Sequence, residues 1–133
     1  MIVALKRLGI IRYEPSHVSL ESIERDLAQE VETALALPHE ERLKRLAAAP
    51  KQAEMKVVFA TTFLRNPDVI AEVLTRAHGI CEGCHAPAPF SRISDGTPYL
   101  EVHHRKRLAE GGEDTVENAI ALCPNCHRKA HYG

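Results

Sequence analysis

Apolar residues at Leu20, Ile23, Leu27, Val31 and Leu35 step by three or four along the chain and so form one stripe of a helix, opposite an acidic, solvated face. Ser19 stands where an N-cap belongs and Pro38 where the helix must stop. A second, shorter helix is expected from Pro38, at its first turn, to Ala48, with Leu43 and Leu46 turned inward and Pro50 ending it. Its Glu40–Lys44 and Glu41–Arg45 pairs at i,i+4 give ordinary surface support. Between Met55 and Leu64 the run Val57 to Phe63 is β-branched and aromatic, which predicts an extended segment. Asn66-Pro67-Asp68 then reads as cap, first-turn proline and N-terminal acid of a helix with Val69, Ile70, Val73, Leu74 and Ala77 on its apolar face, stopped by Gly79.

From Ile80 onward the chain changes character. This stretch holds all four cysteines and five of the eight histidines. Residues 98–104 read as a strand ending in His103 and His104, which face opposite ways because strand side chains alternate. Gly111-Gly112 makes a turn, residues 115–122 return as a second strand, and Pro124 opens a short helix on which His127 and His131 share a face. That face can meet His103 across the hairpin. The expected division is a mainly helical region over 1–64, ending in the extended segment, and a module over 65–133.

Composition narrows the function classes. The chain has 133 residues, 44% hydrophobic and 26% charged, which fits one soluble domain or a small domain with a helical extension. No stretch approaches the roughly 18 apolar residues of a membrane span, and Met1 to Ile11 lacks the order of a secretory signal, so the expected compartment is the cytoplasm. There the cysteines read as metal ligands rather than disulfides. Cys81-x-x-Cys84 and Cys123-x-x-Cys126 stand 38 residues apart. Two such knuckles suit tetrahedral zinc, with a redox pair or unrelated buried cysteines as the weaker readings. Both also match the CxxCH haem pattern, but that attachment needs an exported chain, so no haem is expected. His78 and His85 have no assigned partner and read as surface or supporting residues.

The order Leu100-Glu101-Val102-His103-His104, Gly111-Gly112, Asn118, then Leu122-Cys123-Pro124-Asn125-Cys126-His127-Arg128 resembles the HNH endonuclease family, of ββα-metal fold, in its McrA-type branch of modified-cytosine restriction nucleases. The resemblance covers about Arg65 to Gly133. It implies an α+β chain: an N-terminal helical region, then a nuclease module stapled by structural zinc on Cys81, Cys84, Cys123 and Cys126. Carried over by position, it makes His104 the general base and His103 and His127 ligands of a catalytic divalent ion, with His131 as the extra helical ligand of some relatives. Asn118 would bind backbone across the ββ loop and orient His104.

Phosphodiester hydrolysis needs an activated water, and an imidazole titrating near pH 6.5 is a suitable base. The ion would neutralise the extra charge of the transition state and stabilise the leaving oxygen. Two or three imidazoles form a softer site than magnesium prefers, so manganese, nickel or cobalt are expected alongside it. Arg105, Lys106 and Arg107, directly after the base, read as phosphate contacts, with Arg128 and Lys129 on the helix beside them. Phe90, Tyr99 and Tyr132 read as small-core packing. The partner is therefore DNA, although the net charge of -1 gives no hint of it. Double-strand cutting by a single-site module implies two copies, hence a homodimer. A zinc-stabilised DNA-binding or regulatory module without nuclease activity is the alternative.

Overall fold

The computed structural model describes residues 18–133, so the export reading of Met1 to Ile11 lies outside the described residues. The chain divides into two compact units, one ending at Thr62 and one running Phe63–Gly133.

In the first unit, α1 spans Leu20–Ala36 and α2 spans His39–Ala48. Ser19 caps α1 as its sequence suggests, accepting from the Ser22 N–H at 3.1 Å. At the other end the Arg42 guanidinium reaches back to the carbonyls of Leu37 at 2.6 Å and Ala34 at 3.1 Å. It thereby satisfies acceptors that a helix end leaves unpaired. Residues 53–66 form no helix, and among the described residues their one ladder contact is a parallel bridge between Ser19 and Phe59. Leu43 and Leu46, expected inward, are 50% and 69% exposed, and neither helix contains a buried residue. The apolar stripes are present, but among the described residues no second layer covers them.

The second unit has a core. Helix α3, Pro67–Ala77, is capped by the Asn66 side chain, which accepts from the Asp68 N–H at 2.9 Å. It lays Val69, Val73 and Ala77 against Leu100, Val102, Ala119, Ala121, Leu122 and Cys81. Ala119 and Ala121 are fully buried, and their small side chains let the helix sit close on the sheet. Helix α3 ends with His78 at φ 54° and Gly79 at φ 77°, one residue ahead of the expected stop.

Strands β1, Glu101–His104, and β2, Ala119–Leu122, pair antiparallel, with His103 opposite Ile120 and His104 opposite Ala119. Both are shorter than the sequence pattern suggests. Pro98 pairs instead with Ser91 in a separate hairpin, and residues 115–118 turn so that the Asn118 N–H meets the Thr115 carbonyl at 3.2 Å. Helix α4, Pro124–Tyr132, follows β2 directly, capped by the Cys123 sulfur. Arg76 of α3 clamps Glu82 through two hydrogen bonds of 2.9 and 2.7 Å, and Glu82 accepts from the Ala121 N–H at 2.9 Å, so helix, cysteine turn and sheet are tied at one point. Phe90 and Tyr132 are not core residues: they are 54% and 81% exposed, and Phe90 stacks on Tyr99 at 4.6 Å.

Candidate active site

The four cysteines converge. Cys81 and Cys84 lie on the turn after α3, and Cys123 and Cys126 on the first turn of α4, with their sulfurs all within 4.8 Å of one another. A tetrahedron of 2.3 Å bonds puts its sulfurs about 3.8 Å apart, and Cys84 and Cys123 already stand at 4.0 Å. Burial pushes the Cys81 thiol up, but N–H groups of Cys123, Cys84 and Gly83 outweigh it and bring its pKa to about 6. The neighbouring cysteines push Cys126 up to about 12. The cluster thus favours one thiolate and withholds another until a cation neutralises the charge, as a thiolate metal site does. These four residues fit a structural metal.

A second cluster sits at the end of β1. Strand alternation turns Glu101 and His103 to one face, half-buried, and Val102 and His104 to the other, buried. His103 meets His127 and His131 of α4, and one ring nitrogen of each lies within 4.8 Å of the others. His127 Nε2 and His131 Nε2 are 3.0 Å apart. Two nitrogens bound at about 2.1 Å on adjacent corners of an octahedron have about this separation. Burial, then the charges of its histidine neighbours, lowers the pKa of His103, and the same causes lower His131. Both shifts favour the neutral form that binds metal. His127 Nδ1 is 3.1 Å from Glu101 Oε1, and Glu101 Oε2 accepts from the Tyr99 hydroxyl at 2.8 Å. A carboxylate on the far nitrogen of a metal-binding histidine is the usual way to fix its ring.

His104 stands apart from that cluster, although both line one open cleft of about 300 Å³ together with Phe63, Arg65, Arg107 and Leu108. His104 is 8% exposed, and its Nε2 lies 2.8 Å from Asp114 Oδ1. The Asn118 amide spans the ββ loop: Oδ1 accepts from the Lys106 N–H at 3.0 Å, and Nδ2 donates to the carbonyls of Lys106 at 2.9 Å and Glu113 at 2.7 Å. It touches backbone only and holds the loop on both sides of His104's partner.

The basic residues divide. Arg107 and Arg65 line the cleft, whereas Arg105, Lys106 and Lys129 are exposed outside it. Arg105 acts electrostatically on Glu82, and Arg128 lies 5.8 Å over the Tyr132 ring. A larger hollow of about 520 Å³ lies between the end of α3 and the 91–98 hairpin. Its Arg92 is engaged by the Leu100 carbonyl at 3.0 Å and its Asp95 by Thr97, so it offers less chemistry than the histidine cleft. Sequence reading missed Asp114, Arg65 and the role of Glu101. Glu101 was within reach of it, since it stands two residues before His103 and therefore on the same strand face.

Residues 81–133 match the family model described as HNH endonuclease. The chain is 54% identical over 70 residues, 53% of its length, to the type IV methyl-directed restriction enzyme EcoKMcrA of Escherichia coli K12, of which it covers 25%. It is 45% identical over 31 residues to anaredoxin of Nostoc sp., covering 23% of this chain and 41% of that protein. Among solved structures, the type IV phosphorothioation-dependent restriction endonuclease ScoMcrA aligns at 40% identity and a TM-score of 0.45, over 52% of this chain and 13% of that one. The chain thus spans about a quarter of its curated McrA relative's length. Residues 81–133 match the HNH endonuclease family model, and the chain is similar to a McrA-type restriction enzyme over 70 residues.

Proposed function

We propose that this chain is a metal-dependent DNA endonuclease of restriction type, acting on modified DNA. The observation that carries the reading is the division of labour at the end of β1: a three-imidazole cluster on one face and, one residue on, a buried histidine with its own carboxylate on the other. His103, His127 and His131 would hold one divalent ion, which supplies charge neutralisation at the scissile phosphate and the leaving oxygen. His104 takes a proton from the attacking water as the new P–O bond forms and the bond to the 3′ oxygen breaks. Arg107 and Arg65 face the same cleft and hold phosphates of the bound strand. Asn118 keeps the ββ loop closed so that these groups stay in register. The four cysteines hold zinc and fasten α4 to the turn after α3. Cutting both strands takes two such modules, so the working form is a homodimer.

The test is cleavage of matched plasmids, with and without cytosine methylation, in magnesium, manganese, nickel or cobalt. Metal-dependent cutting that His104→Ala abolishes, with a preference for the methylated plasmid, is the expected result. DNA binding without cleavage in every metal would instead establish a zinc-stabilised binding module.

A further inference from the structure

Resting on the endonuclease reading, we infer that Asp114 is a positioning residue: it fixes the His104 ring with the proton on Nε2 and the lone pair of Nδ1 available in the cleft, and the start of α3 anchors it in that task. Asp114 carries two contacts. Oδ1 meets His104 Nε2 at 2.8 Å, and Oδ2 accepts the backbone N–H of Asn66, the N-cap of α3, at 2.6 Å. The opposite nitrogen, His104 Nδ1, makes no hydrogen bond, and no buried side-chain nitrogen or oxygen among the described residues lacks a partner, so Nδ1 is not sealed from solvent. A carboxylate without a proton can only accept. The imidazole proton therefore resides on Nε2, and Nδ1 is the acceptor able to take a proton from water.

The anchor is rigid on both sides. Asn66 precedes a helix whose Val69, Val73 and Ala77 are packed into the core. Glu113, the neighbour of Asp114, is held through its carbonyl by Asn118 at 2.7 Å. The Asn66 N–H and His104 also keep the Asp114 carboxyl below its ordinary range, which preserves its charge. Asn66 lies before the segment matched by the family model, so α3 becomes part of the catalytic architecture and not merely a packing element.

Asp114→Asn separates this role from packing. Both contacts of the carboxylate are hydrogen-bond donors, whereas an amide offers one oxygen and one NH2. The Asn66 backbone N–H cannot change, but an imidazole can change tautomer. The amide oxygen would therefore face Asn66 and its NH2 would face Nε2, forcing the His104 proton onto Nδ1, the wrong tautomer for a base.

In the zinc-loaded chain, Asp114→Asn should lower kcat on the order of a hundredfold, within the range that general-base catalysis contributes, with KM nearly unchanged. Zinc content and manganese affinity at the histidine cluster should stay at wild-type values. Long-range nitrogen–proton spectra of the wild type, assigned against His104→Ala, should show the His104 proton on Nε2. A variant with wild-type kcat, or a wild-type ring protonated on Nδ1, overturns the inference. The spectrum decides the question even if Asp114→Asn does not fold. A wild-type protein that cuts nothing in any metal overturns the endonuclease reading instead, and leaves the tautomer measurement independent of it.

Discussion

Replacing Glu101 by alanine should weaken divalent-metal binding at the histidine cluster while leaving the four-cysteine site intact. Glu101 lies on the same strand face as His103 and reaches His127 Nδ1 at 3.1 Å, with its second oxygen held by the Tyr99 hydroxyl at 2.8 Å. Burial raises the Glu101 pKa, but the bonds from Tyr99 and His127 outweigh it, so the group remains a carboxylate. It aligns the ring so that Nε2 faces His131 and makes that nitrogen a stronger donor. Loss of such a partner costs about 10- to 100-fold in metal affinity, or about 1.4–2.7 kcal/mol. Glu101 is 32% exposed and His127 25%, so water replaces part of the contact and the lower end, about tenfold, is expected. Glu101→Gln should cost only about threefold, because the Tyr99 hydroxyl can turn to accept from the amide and leave the carbonyl to His127. Calorimetric titration of zinc-loaded protein with manganese and nickel measures this directly. Wild-type affinity in Glu101→Ala, beside clear loss in His127→Ala, would refute the reasoning.

Removing the cysteine-bound metal, by chelation or by Cys81→Ser, should abolish the cooperative thermal transition of the second unit. Its buried apolar core is only nine residues, and Cys81 is one of them. Gly112→Ala should impair folding or catalysis through the ββ loop, since a Cβ there would collide with the backbone carbonyls of Lys106 and Arg107, the former also held by Asn118. Thermal melting and plasmid cleavage report the two effects separately. Metal affinity at the histidine cluster should fall as the pH drops and protons compete for the ring nitrogens. Burial and mutual repulsion lower His103 and His131, so protons begin to compete at a lower pH than they would for free imidazole. Titrations between about pH 5 and 8 check the sign.

Much of the second unit was legible because its chemistry is local or sharply periodic. The cap at Asn66, the two cysteine turns and the i,i+4 spacing of His127 and His131 each depend on neighbouring residues, and the structure shows those elements. The opposed faces of His103 and His104 followed from strand alternation. Asp114 was not legible, because its two partners, His104 and the Asn66 N–H, come from segments 10 and 48 residues away. No spacing rule links a loop carboxylate to a helix cap that distant. Arg65 was missed for the same reason: it reaches the Val102 carbonyl, 37 residues on, at 3.0 Å. In the first unit the apolar stripes of α1 and α2 were visible, but burial is a property of what covers a face. Leu43 and Leu46 show how a correct period leads to a wrong expectation of burial.

The net charge of -1 also acquires a different meaning once partners are known. Residues 76–133 hold seven basic and seven acidic side chains, a balance that argues against a polyanion only if every charge is equally available. It is not. Glu82 is engaged by Arg76, Glu101 by Tyr99 and His127, Asp114 by His104 and Asn66, and Asp95 by Thr97. Among the described residues, Arg65, Arg105, Lys106, Arg107 and Lys129 form no ion pair. Arg65 and Arg107 line a cleft that has no carboxylate among its described lining residues, and Asp114 is turned toward His104. The cleft therefore offers a phosphate two cations despite the neutral sum. If about three phosphates are neutralised, the logarithm of duplex affinity should fall with the logarithm of salt at a slope near about -2.7, and Arg107→Ala should reduce that slope by about one. Fluorescence anisotropy with a labelled duplex over a salt series, run in calcium or with His104→Ala to prevent cutting, measures it. A slope near zero would mean that these cations do not meet the backbone, and that affinity must come from contacts to the bases or from the first unit.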